Sequence, residues 1–170
     1  MNTFKIDVKD LQALSRLFSY PEKRPVNGDL SKLLLITGEK WEVAPGENGL
    51  QVLQNNYVNL FINALPEIPC PPYGSFYLEG VLMGQSTVRV KNLYHEYGFQ
   101  TEEVPDHIAV ELEFLAILST LPAHDSVQED YDFLLNHLRQ WTPEFFKQVE
   151  LSDDMGFYKD VARYARQVIF

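Results

Sequence analysis

Glu103, Asp106, His107 and Glu111 are the residues of this chain best placed to do chemistry, in the run Glu103-Val104-Pro105-Asp106-His107-Ile108-Ala109-Val110-Glu111. If the run is helical from Pro105, His107 and Glu111 stand one turn apart and could share a metal ion, with Asp106 or His137 as a third ligand. A helical metal-dependent hydrolase could be built from those four. The chain's four histidines, however, form no ligand-spaced cluster, and an adjacent Asp-His pair is not an acid–base dyad without mutual geometry. The plainest reading makes Asp106 a first-turn helix acid and His107 a surface residue. The expectation is a binding protein without enzymatic activity.

The element that must position these groups is the helix behind them. From Pro105 to about Leu121, before Pro122, it is apolar on nearly every side. Such a helix belongs in a domain interior, so its start should emerge from the core carrying Asp106 and His107, with Pro105 at the first helical position, where a missing N–H costs nothing. Further helical stripes are Val8-Leu11-Leu14-Phe18, a short helix capped by Asp29, and Leu50-Leu53-Tyr57-Leu60-Phe61. Ser75 is placed to cap a helix through Leu82, and Ser86 or Thr87 the next, which ends at Gly98. Val127-Tyr131-Leu134-Leu138-Trp141 predicts another; Pro143 opens a further one with Phe145, Phe146 and Val149, and Tyr158 to Ile169 forms the last. Between the third and fourth stripes, Asn63 to Pro72 carries prolines at 66, 69, 71 and 72 and cannot be helical. It predicts a stiff surface loop, and Trp41 is expected to tack down the loop from Thr37 to Gly49. No run alternates with period two over a strand's length. The fold class is all-α, a single domain over 1–170 with about nine or ten helices.

Composition narrows the function. At 170 residues with a net charge of −10, the chain lacks the basic surface of nucleic-acid binders. The charge is uneven: residues 1–91 hold nine acids and nine bases, whereas 92–154 hold fourteen acids against Arg139 and Lys147 alone. That field either solubilises the surface or steers a cationic partner. The first residues lack a basic head followed by an apolar run, and no apolar stretch approaches the ~20 residues that span a bilayer, so stable membrane insertion is not expected. Cys70 is the sole cysteine; it reads as a small packed residue and suits a reducing cytoplasm. There is no phosphate-binding Gly-x-x-x-x-Gly-Lys loop, no second histidine after His95-Glu96 and no Gly-x-Ser-x-Gly elbow.

Three segments taken together resemble a known family. They are Pro71-Pro72-Tyr73-Gly74-Ser75-Phe76-Tyr77 followed by Gly84-Gln85-Ser86-Thr87; Glu103 with Pro105-Asp106-His107; and His137 with Trp141. In this order they resemble the TorD/DmsD family of cytoplasmic chaperones that mature molybdenum-containing redox enzymes, and the first segment looks more like the DmsD branch than the nitrate-reductase branch. The resemblance covers roughly residues 57–170. It implies a helical fold, no cofactor beyond the weak guanosine-nucleotide binding ascribed to parts of the family, and either a monomer or a helix-swapped dimer. The swap hinge would be the Gly98–Val104 connection or the Leu121–Ser126 turn. The implied partner is an N-terminal twin-arginine signal peptide, two arginines and then an apolar stretch, on a molybdoenzyme precursor. The resemblance associates Pro72, Tyr73, Asp106 and His107 with that peptide. Its arginines would add Glu103, its apolar stretch Phe76 and Tyr77, and His137 is a further, mainly structural candidate. DmsD-like chains often have tryptophan at position 73, and many relatives have glutamate where Gly74 stands.

Overall fold

The computed structural model describes residues 6–42, 47–63 and 67–170. Among these it holds eight α-helices: α1 (Val8–Phe18), α2 (Asn27–Thr37), α3 (Glu47–Tyr57), α4 (Gly74–Glu79), α5 (Gln85–Glu96), α6 (Ile108–Thr120), α7 (Asp125–Ser152) and α8 (Phe157–Ile169). A π-helical turn, Val58–Ile62, extends α3. The class is all-α, as expected. The count falls short of nine or ten because α7 runs unbroken through Pro143 for 28 residues. A proline inside a helix costs ~3 kcal/mol. Here Leu138, Trp141 and Thr142 before it, and Phe145, Phe146 and Val149 after it, are all buried on one face. Burial worth ~1.5–3 kcal/mol for each large apolar side chain outweighs that penalty.

α6 is the central element. Every residue from Ile108 to Leu118 except Glu113 and Ile117 is buried, with α1 and α7 packed against it. α8 lies against α7, α1 and α2, and α4 rests on α7. Aromatic rings fill the core: Phe18, Phe61, Phe145, Phe146 and Tyr158 form one contiguous group, and Tyr94, Phe99 and Phe114 another. Trp41 does tack its segment down, donating its indole N–H to Asp160 at 2.9 Å and meeting the Phe157 ring edge-on.

Several local expectations change. α2 begins at Asn27, so Asp29 lies within the first turn instead of capping it; its buried carboxylate is held by the Arg16 fork at 2.7 and 2.9 Å. α4 stops at Glu79, where Gly80 turns left-handed with φ 72°. α5 is capped from outside by the Glu79 carboxylate, which accepts the Gln85 and Ser86 N–H groups at 2.6 and 2.8 Å. The proline-rich loop is not wholly on the surface: Cys70, Pro71 and Pro72 are buried. Prolines bring no N–H into the interior, and the Cys70 N–H is satisfied by Leu60 O at 2.9 Å. Pro66 lies outside the described residues.

Candidate functional site

The three segments singled out by sequence meet in space. Tyr73 and His107 form an isolated antiparallel bridge: Gly74 N–H donates to Asp106 O at 3.0 Å, and Ile108 N–H donates to Pro72 O at 2.9 Å. This pairing corrects the expected start of the long helix. Pro105 and Asp106 form a turn closed by the His107 N–H on Val104 O at 2.9 Å, and His107 is held extended against the loop, so α6 begins at Ile108 with His107 (φ −67°, ψ 136°) as its N-cap. The His107 Nδ1 accepts the Ala109 N–H at 3.1 Å, a role usually filled by Ser, Thr, Asp or Asn.

The two motif residues separate where that turn meets the bridge. Asp106 turns inward and is fully buried; its Oδ2 accepts the Ser75 N–H at 2.6 Å. It is therefore not an exposed acid at an emerging helix start. His107 turns to the other side and reaches a cleft. With Nδ1 accepting, its ring proton sits on Nε2, 3.5 Å from the Tyr57 hydroxyl, which donates to Phe18 O at 2.9 Å. Burial pushes the His107 pKa down to about 4, with only partial opposition from Asp106, so the ring is neutral.

Beneath the bridge, Glu111 on α6 and His137 on α7 pair at 2.9 Å. Burial raises the Glu111 carboxyl to about 7 despite the counteracting His137. Burial opposes the charge on His137, but the Glu111 and Asp106 carboxylates overcome it and raise its pKa. Gly74 seals this layer: a Cβ there would lie 2.9 Å from Trp141 Nε1 and 3.0 Å from His137 Cε1. Position 74 therefore serves close packing. Tyr77 stacks on Trp141 with centroids 5.6 Å apart. His107 faces away from the Glu111–His137 pair, and among the described residues no three His, Cys, Asp or Glu side chains are grouped as metal ligands. The four residues weighed for a hydrolase thus do not converge on one point.

The cleft on the His107 side has a volume of about 500 Å³. Its walls include Tyr20, Tyr57, Phe61, Ile62, Pro72 and Tyr73, and its carboxylates are Glu102, Glu103 and Glu113. Among the described residues no lysine or arginine lines it. Tyr73 meets the His107 ring edge-on at 5.3 Å, and burial followed by the Glu103 and Asp106 charges lifts its phenol to about 12. Of the sequence-named residues, Pro72, Tyr73, Glu103 and His107 line this cleft; Asp106 and His137 are buried behind it, and Phe76 and Tyr77 stand elsewhere on α4. Sequence reasoning missed Tyr20, Tyr57 and Glu113. The available signal was tyrosine in place of a wholly apolar residue within the third stripe, since a buried tyrosine such as Tyr57 needs a partner for its hydroxyl.

Comparison with known proteins accords with this geometry. Residues 23–147 match the family described as "Nitrate reductase delta subunit". The chain is 33% identical to the "Probable Tat proofreading chaperone DmsD" of Haemophilus influenzae, over 68% of this chain and 58% of that one. It is 31% identical to the chaperone protein TorD of Vibrio parahaemolyticus, over 54% of this chain and 49% of that one. The matched region thus spans about half the length of these curated relatives. A crystal structure of a candidate redox enzyme maturation protein from Archaeoglobus fulgidus superposes with a TM-score of 0.63 at 31% identity, covering 96% of both chains. The helical architecture and the matched region agree, and the chain belongs to the nitrate reductase delta subunit family, which includes the TorD and DmsD maturation chaperones.

Proposed function

We propose that this protein is a cytoplasmic chaperone that binds the twin-arginine signal peptide of a molybdoenzyme precursor and assists its maturation before export. The observation that carries this reading is the composition of the cleft beside the Tyr73–His107 bridge: among the described residues, three carboxylates and no Lys or Arg, set among aromatic walls. Carboxylates suit guanidinium forks, and aromatic surfaces suit apolar side chains. The neutral His107 adds no competing positive charge. Glu102 and Glu103 are exposed, so they can meet a peptide without the core opening. Among the described residues no helix is long and apolar enough to cross a membrane.

The test is titration of a fluorescent peptide bearing Arg-Arg and an apolar stretch, beside the same peptide with Lys-Lys. The Arg-Arg form should bind several-fold more tightly, because a planar fork meets paired carboxylates better than an ammonium does. Tyr73→Ala should weaken both peptides with little change in salt dependence. Equal affinity for Arg-Arg and Lys-Lys peptides would remove the guanidinium reading.

A further inference from the structure

The acidic cleft is not an isolated hollow. A second cleft of about 560 Å³ adjoins it, and Ser19 and Tyr20 line both. Leu17, Pro21, Val26, Leu53, Phe157 and Tyr158 furnish its apolar walls. Its charges are of the other kind: Arg16, Lys23 and Arg24 with Glu22 and Asp29, and Asp29 is already held by Arg16 at 2.7 Å. Tyr20, 43% exposed, stands at the junction with its ring edge-on to Tyr57 at 5.6 Å. The two compartments therefore differ in what they accept. One draws cations. The other has size and apolar walls suited to side chains, and a rim with no excess negative charge to compete for arginine.

Resting on the reading above, we infer that the second compartment receives the apolar stretch of the same peptide whose arginines occupy the first, so that Tyr20 is the divide and the peptide's direction across α1 is fixed. Continuity through Ser19 and Tyr20 supplies the path, and the contrast in charge sets the orientation. A reversed peptide would carry two guanidinium groups to Lys23 and Arg24 and leave apolar side chains among three carboxylates, which is unfavourable at both ends.

Site-specific fluorescence quenching tests this. Cys70 is fully buried and its thiol is pushed up to about 11 by burial, so an introduced surface cysteine is the thiol that labels. Val26→Cys and Ile62→Cys place a bimane probe at the second and first compartments, at positions 53% and 50% exposed. Peptides carry one tryptophan, either within the apolar stretch or beside the arginines. The probe at 26 should be quenched by the tryptophan in the apolar stretch and the probe at 62 by the one beside the arginines. Replacing the apolar stretch with serines should abolish quenching at 26 and weaken binding roughly ten-fold or more, as expected when large apolar side chains lose their burial. Quenching at 62 with none at 26 overturns the inference while leaving the peptide reading intact. The reversed pattern, or equal quenching from both tryptophans, overturns the assigned direction. Absence of quenching and of binding at both positions overturns the peptide reading itself, and this inference with it.

Discussion

The two faces of the Tyr73–His107 bridge differ in almost every physical respect. On one face, Asp106, Glu111, His137 and Trp141 are buried and are engaged with backbone, with one another or with packed rings. On the other, Glu102 and Glu103 are exposed beside a half-buried Tyr73. The same short run of sequence serves both faces, since Asp106 lies in a turn and His107 in the bridge that follows it. Proximity in a motif therefore does not imply a shared role. Asp106 fastens the loop to the core, whereas Glu103 remains available to a partner.

The largest expected effect undermines both faces together. Leu115 is fully buried on α6, and Leu115→Ala should cost ~2–5 kcal/mol, read from denaturant midpoints. A loss below about 0.5 kcal/mol, typical of exposed positions, would contradict the central place of α6.

Acid and alkali should separate the faces. His107 titrates near 4 when folded and near ~6.5 when unfolded, so the unfolded chain binds more protons between those values. Stability falls as pH drops from about 6.5 to 4, by up to ~3 kcal/mol for such a shift. The Glu111–His137 pair acts the other way, because both pKa values are raised on folding. Its contribution to stability is lost as pH rises, through Glu111 from about 4.5 to 7 and through His137 above about 6.5. Thermal melts from pH 4 to 9 should show a smaller acid loss in His107→Asn, which can still cap α6, and a smaller loss as pH rises from about 4.5 in Glu111→Gln. An unchanged profile in both variants would place the titrating groups elsewhere.

Asp106→Ala leaves the buried Ser75 N–H without its acceptor and should cost ~1–3 kcal/mol. Asp106→Asn retains an acceptor and should be milder. Any weakening of peptide binding in either variant should track loss of stability. Glu103→Gln should do the opposite: stability within about 0.5 kcal/mol of wild type, and binding weakened a few-fold at low salt. That difference should shrink as the Debye length falls below ~10 Å above 0.1 M salt. If Asp106→Asn weakens binding with its melting temperature intact, the division between the faces fails.

What could be read from the sequence was whatever local pattern governs. The apolar surround of α6, the Gly98 turn and the anchoring of Trp41 all follow from side-chain type and spacing. What could not be read depends on distant partners. Nothing near Asp106 reveals that its carboxylate accepts the N–H of Ser75, 31 residues earlier, nor that backbone pairing to Pro72 and Gly74 delays the helix to Ile108. Pro143 looked like a boundary because its local cost is visible, while the burial that outweighs it comes from α4, α6 and α8. The cleft was half legible. Tyr73 and Glu103 belong to motifs, but Tyr20 and Glu113 reach it only because α1 crosses α6.

That crossing also has a consequence for the order in which the chain is made. The Ser15 hydroxyl donates to Ala109 O, 94 residues later, and the Tyr164 hydroxyl donates to Asp10, 154 residues away. At ~5–20 residues per second, a ribosome keeps α1 waiting roughly 5–20 s for α6, and longer for α8. Its apolar face, Leu11, Leu14, Leu17 and Phe18, has no native cover during that interval. The cleft is incomplete for the same time, since it needs Tyr20, just past the end of α1, and Glu113 from α6. The cleft thus forms only after α6 has been made, and α1 is exposed to mispairing until then.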